Sequence, residues 1–240
     1  MIATARRVLW QIRRDRRTVA LLVGVPVGLL VLLRYVFASQ PSTFKHVAPP
    51  MCGLFPFTLM FLVTSIAMLR ERTSGTLERL MSLPLSKPAL LGGYALAFGV
   101  LAALQAVVVC TVGFTLLGLD AAHGAWLVGV LAIGNALLGM SLGLFASAFA
   151  RTEFQAVQFM PAIVFPQLLL CGLFAPRGAM SGPLQAVARA FPLTYAFDAL
   201  SRATHPGRLG GSFVLDTAVV VGATLVALGL GAATLRRRTP

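Results

Sequence analysis

Acidic residues are scarce: seven Asp and Glu stand against twenty Lys and Arg in 240 residues, and charged residues make up only 11% of the chain. A soluble domain of this size carries about 25%. So little charge cannot cover a water-facing surface, and lipid must take its place. The three cysteines, Cys52, Cys110 and Cys171, lie inside apolar stretches, with no C-x-x-C and no histidine at metal-ligand spacing. They read as small buried apolar side chains rather than a metal centre or redox pair. No G-x-x-x-x-G-K-[ST] occurs, so the chain has no Walker-type ATP site, and no metal or cofactor site is expected in it. The acids Asp15, Glu71, Glu78, Asp120, Glu153, Asp198 and Asp216 all fall at or outside the ends of apolar runs. That leaves no intramembrane acid chain for ion coupling. The net charge of +13 raises nucleic acid as a partner. The basic residues instead flank apolar runs without aromatic interleaving, so no nucleic-acid footprint is expected.

What fills the chain is hydrophobic sequence, 58% of the residues. Six runs stand out, over 19–37, 51–69, 89–119, 124–150, 154–176 and 213–235, of 19 to 31 residues where about 20 span a bilayer, the third exceeding that need. The expected fold is all-α, a single polytopic membrane domain over 1–240 with six transmembrane helices. The first run exceeds the roughly 7–15 residues of a signal h-region and reads as a retained anchor. Before it, Val8, Leu9 and Ile12 are ringed by arginines, which suits an interfacial helix over 1–18 lying against anionic headgroups. Residues 38–50, with Pro41, Pro49 and Pro50, read as a connector. With the N-terminus inside, fourteen Lys and Arg fall in inside segments and five in outside segments, Arg34 lying within the first span. That bias places both termini in the cytoplasm. Abundant Arg, Ala, Gly, Leu and Val hint at a high-GC bacterium, and hence its plasma membrane.

Three segments carry most of the information. In 70–88, Gly75 permits a turn, Leu77, Leu80 and Met81 fall on one helical face, and Pro84 ends the helix. Such an amphipathic helix fits a groove on a soluble partner or lies on the lipid surface. In 177–212, Leu184, Val187, Ala188 and Phe191 form an apolar face, Pro192 breaks the helix, and Thr194 is placed to cap a second piece, giving a short helical hairpin on the outside. The fifth run holds Pro161 and Pro166 with Gln158 and Gln167, and with Gln155 at its start. Gln158, Gln167 and nearby Phe165 either line a pathway or, as for Gln105 in the third run, make interhelical hydrogen bonds. In the fourth run Asn135, Gly139, Gly143 and Ser147 recur every four residues as a small-residue packing stripe. The G-x-S-x-G inside that stripe sits mid-helix, and His46, His123 and His205 all fall in predicted outside segments, so it is no nucleophile motif. Arg34 either snorkels to the outer interface or contacts a substrate.

Arg70-Glu71-Arg72-x-x-Gly75-Thr76-Leu77-Glu78-Arg79-Leu80, closed by Pro84 and set between the second and third spans, resembles the membrane subunits of ABC-2-type ATP-binding-cassette exporters, including the daunorubicin-resistance-like permeases. The likeness extends over the whole chain and includes Pro192-Leu193-Thr194-Tyr195-Ala196-x-Asp198 before the last span. It implies that Arg70 through Leu80 form a coupling helix against an ABC ATPase subunit, which brings ATP and Mg. It implies an extracellular gate around Pro192, Tyr195 and Asp198, and a second permease copy or homologous permease meeting this one at spans two and five. The implied function is export of a small hydrophobic substrate: a drug, antibiotic or lipid-like molecule. The alternatives are a polysaccharide or glycolipid exporter, for which Trp10 and Trp126 as the only tryptophans offer little stacking surface, a membrane enzyme, or a non-transporting scaffold.

Overall fold

A computed structural model of the chain describes residues 2–76 and 87–234. Among the described residues the regular structure is helical: α1 (Ile2–Arg14), α2 (Arg16–Val36), α3 (Pro41–Thr73), α4 (Lys87–Thr115), α5 (Ala125–Ala146), α6 (Glu153–Leu170), α7 (Gly182–Ala190), α8 (Pro192–Thr204) and α9 (Gly211–Ala233), with a 3-10 turn at Arg177–Ala179. The protein is a polytopic membrane protein, as its composition requires.

Side-chain contacts sort the helix ends into two groups. At one end Arg7 of α1 meets Glu71 of α3 and Tyr94 of α4, and Arg70 of α3 meets Glu153 of α6. At the other, His46 of α3 meets His205 after α8, Ala122 N donates to Thr204 O, and Arg202 of α8 meets Asp216 of α9. The chain therefore passes between an arginine-rich end and a hairpin end six times, in α2, α3, α4, α5, α6 and α9. Five of these helices are long and apolar enough to cross a membrane by length and composition. The exception is α6, where the expected run 154–176 is helical only to Leu170. Its 18 residues span about 27 Å, short of the roughly 30 Å hydrocarbon core. Its three glutamines and two prolines dilute its hydropathy.

The expected connector over 38–50 is corrected. Pro41 opens α3 at a position whose N–H would be unpaired anyway. The helix then continues through Pro49 and Pro50 because Phe44, Ala48 and both prolines bury against neighbouring helices. Packing overrides propensity here: the carbonyls those prolines leave unpaired belong to Lys45 and His46, both exposed residues.

The bundle centre is the crossing of α3 and α5, whose apolar windows are 61% and 67% buried against 17% for α2 and for α9. The small-residue stripe makes this crossing. A Cβ on Gly139 would stand 2.1 Å from Phe57 O, and one on Gly143 2.2 Å from Thr64 Oγ1. Only glycine allows such backbone contact. Thr64 then donates across the seam to Met140 O at 3.1 Å. Ser141 of the G-x-S-x-G is buried and donates to Leu138 O, a packing role.

On the periphery, α2 carries Pro26, which has no N–H for the carbonyl of Leu22. Gln105 of α4 supplies one: its Nε2 donates to Leu22 O at 2.8 Å. Arg34, near the hairpin end of α2, lies over the Phe44 ring at 5.4 Å from its centroid. Asp15 caps α2, accepting from Thr18 Oγ1 at 2.6 Å and Thr18 N at 3.1 Å. Those bonds from Thr18 hold its carboxyl below the usual aspartate value.

Candidate functional site

The helix α3 ends because Ser74 N bonds back to Arg70 O at 2.9 Å and Gly75 takes φ +70°, a left-handed turn that glycine adopts at no steric cost. Thr76 begins the next segment, its hydroxyl 2.9 Å from that of Ser74. Leu77, Glu78, Arg79 and Leu80, the remaining residues of the expected coupling helix, lie outside the described residues.

The last turn of α3 is tied to three other helices. One guanidinium nitrogen, Nη2 of Arg7, donates to both Glu71 oxygens, at 3.1 and 3.2 Å, and to Tyr94 Oη at 2.6 Å. Glu71 is nearly buried, its side chain 11% exposed. Removing Arg7 would strand a carboxylate in a low-dielectric site. Arg70 makes a two-pronged bond with Glu153, 2.7 and 2.9 Å, but both side chains are more than half exposed. That pair contributes about 0.2–1 kcal/mol at most. Arg72 is different again: its Nε and Nη2 are buried and have no hydrogen-bond partner among the described residues.

Between α1, α2, α3 and α4, on this same end, lies a cavity of about 750 Å³. Its rim carries Arg7, Asp15, Arg70 and Glu71, and its walls are apolar residues of α2 and α3.

At the hairpin end, α7 and α8 fold back on each other. Pro192 occupies the first turn of α8. Thr194 does not cap that helix, as its position in sequence suggested. Its hydroxyl donates instead to Ala188 O at 2.7 Å, clamping α8 to α7. Tyr195 Oη donates to Arg189 O at 2.8 Å and does the same. Asp198 forms an ion pair with Arg177. Burial pushes its carboxyl above the usual aspartate value, and Arg177 only partly offsets this. Pro192, Tyr195 and Asp198 thus share one small element. Arg202 and the buried Asp216, 3.0 Å apart, join α8 to the last span. His205 Nδ1 donates to Ser201 O at 2.7 Å, and its Nε2 lies at hydrogen-bond distance, 2.7 Å, from His46 Nδ1.

The three pathway candidates do not come together. Gln158 and Phe165 are seven residues apart on α6 and share an exposed face. Gln167 lies about 160° round the helix from that stripe and is buried. Its Nε2 donates to Ile163 O at 3.0 Å while its Oε1 is buried without a partner among the described residues. A smaller cavity of about 320 Å³ is lined by Gln158 with Gln155, Arg151, Phe149 and Phe159.

The arrangement is a helical bundle with the end of α3 braced at one end and a clamped hairpin at the other. The family model described as ABC-2 type transporter matches residues 1–204. The chain belongs to the ABC-2 type transporter family. That family is the transmembrane part of the transporter, without the ATPase domain, and ABC-2 permeases pair with ABC ATPase subunits. The chain is similar to ABC transporter G family member 20 of Dictyostelium discoideum, 27% identical over 166 residues, 69% of this chain and 23% of that protein. It is also similar to the probable multidrug ABC transporter permease YbhS of Escherichia coli strain K12, 21% identical over 234 residues, 96% of this chain and 60% of that one. It therefore spans less than two thirds of either relative.

Several residues of this ABC-2 chain that tie its ends together escaped the sequence reading. Arg7 stood in a basic run and Tyr94 in an apolar one. Arg177 and Arg202 count in the sequence only among the outside basic residues, and Glu153 only as an acid at the end of an apolar run. Each pairs with a residue at least fourteen positions away, beyond any periodicity signal.

Proposed function

We propose that this chain is the permease subunit of an ATP-driven exporter of the daunorubicin-resistance-like kind, in a bacterial plasma membrane with both termini cytoplasmic. A separate ATPase subunit, holding ATP and Mg, engages residues 70–88. A second permease copy or a homologous permease completes the pathway. The cargo is a small hydrophobic drug, antibiotic or lipid-like molecule. The name of the Escherichia coli relative, a probable multidrug permease, supports that class, as do spans with few charges to hold a charged solute.

The observation that carries the reading is the bracing of α3 where it runs into the 76–88 segment. A push delivered there passes through Glu71 to α1 and α4 and through Arg70 to α6. A coupling element must contact two states differently to switch them, and a lever anchored to three helices moves them together. The hairpin around Pro192, Tyr195 and Asp198 closes the outer mouth, and the exposed face of α6 that carries Gln158 and Phe165 faces the pathway or the partner permease, while the buried Gln167 on the opposite side packs within the bundle.

The test is charge reversal in cells expressing permease and ATPase together. Glu71→Lys and Glu78→Lys should each cut drug efflux by about tenfold or more, a loss of at least 1.4 kcal/mol of coupling, at unchanged membrane levels. Exchanging the pair, Arg7→Glu with Glu71→Arg, should restore part of it. Efflux unaltered in both single variants would overturn the coupling role.

A further inference from the structure

The cavity between α1, α2, α3 and α4 has a polarity order of its own. On α3 it runs from Arg70 at the rim to Leu59 at its depth. Eleven residues of helix cover about 16 Å, and half of a roughly 30 Å hydrocarbon core is about 15 Å. The cavity is therefore as deep as one leaflet. Its walls at that depth are Leu59, Leu62 and Val63 facing Leu21, Leu22 and Val25 of α2. One wall is lightly held: only 17% of the α2 window is buried, so access is from the side, through lipid.

The rim fixes the chemistry of the occupant. Both oxygens of Asp15 already accept bonds from Thr18, and both oxygens of Glu71 accept from Arg7. Each carboxylate oxygen is thus already paired once, whereas Arg7 bonds only through Nη2 and Arg70 only through Nε and Nη2, so Nη1 of each guanidinium carries no hydrogen bond among the described residues. Two free guanidinium donors above an apolar slot one leaflet deep are complementary to a phosphate ester above acyl chains.

We propose that this cleft binds one phospholipid of the leaflet at the arginine-rich end, its phosphate held by Arg7 and Arg70 and an acyl chain lying between α2 and α3. The cleft also reaches Ser74 and Thr76, so a bound lipid touches the segment that leads into residues 77–86. The site does not depend on what the transporter exports.

The experiment uses the full chain in lipid discs containing a phosphatidylethanolamine with a photoreactive group midway along its chain. Label is expected in residues 21–25 and 59–66. Unlabelled phosphatidylethanolamine should compete with it and phosphate-free diacylglycerol should not. Leu62→Trp, which fills the slot, should lower that label by about tenfold while label on the exposed α9 residues Leu225, Val226 and Leu230 stays constant, showing that the bundle is intact. Equal labelling of cleft and α9 in the wild type, equal competition by diacylglycerol, or a Leu62→Cys cross-link between two copies would each overturn the proposal, the last by showing that a second chain covers the cleft.

Discussion

Gln105 and Pro26 act as one unit although they sit on different helices. Proline leaves the Leu22 carbonyl without its helical donor, and the Gln105 amide fills that vacancy from α4. Gln105→Leu should therefore cost about 0.6–2 kcal/mol, read as a lowered midpoint in detergent unfolding. The same change in a Pro26→Ala background should cost much less, because alanine restores the backbone donor. Equal costs in both backgrounds would show that the bond contributes nothing particular. The glycines of α5 act by absence. Gly139→Val brings a Cβ to 2.1 Å from Phe57 O, where only backbone movement relieves the clash. The expected loss is at least the roughly 1–3 kcal/mol of ordinary overpacking, seen as lower yield and melting temperature. At Gly134, with nothing near the added Cβ, the same change should be nearly silent. The spacing of Asn135, Gly139 and Gly143 marked the stripe in the sequence. What it packs against, Phe57 and Phe61, was illegible there because every face of these helices is apolar.

At the scale of elements, the hairpin and the last span are joined by an unequal ion pair. Asp216 has a side chain 5% exposed, whereas Arg202 is 45% exposed. Removing the exposed partner leaves a buried charge uncompensated, so Arg202→Ala should destabilise by about 3–5 kcal/mol. Replacing both by apolar residues, Arg202→Met with Asp216→Leu, should recover most of that. The contrast is Arg70→Gln, whose pair with Glu153 is exposed on both sides and should cost under about 1 kcal/mol. If the two single variants melt alike, burial is not what separates these pairs. The elements themselves were largely legible: apolar runs located the five helices long and apolar enough to cross a membrane, together with the shorter α6, and proline and glycine located the breaks at Gly75 and Pro192. The start of α3 was not. Three prolines in 41–50 signal a connector by local rules, and only the burial of Phe44 and Ala48 against other helices makes that stretch helical.

At the scale of the whole molecule, two properties fix how the bundle stands in a membrane, and they come from different sources. The six passages follow from contacts that gather Arg7, Glu71, Tyr94 and Glu153 at one end and His46, His205, Arg202 and Asp216 at the other. Which end faces the cytoplasm follows from where lysine and arginine accumulate, because each short basic loop resists translocation. The first property constrains the second: with an even number of passages, α1 and the end of α9 share a side, so one measurement orients the whole chain. Gln11 in α1 and Ser42 at the start of α3 are both exposed and lie beyond opposite ends of α2, while Cys52, Cys110 and Cys171 are buried and free, giving little background to a thiol reagent. In right-side-out vesicles, Ser42→Cys should react with a membrane-impermeant maleimide and Gln11→Cys should react only after the vesicles are opened. The reverse pattern would leave the fold intact and turn it over, placing residues 70–76 away from any cytoplasmic ATPase and removing the basis for coupling. Reaction of both in closed vesicles would break the link between basic clusters and sidedness on which the orientation rests.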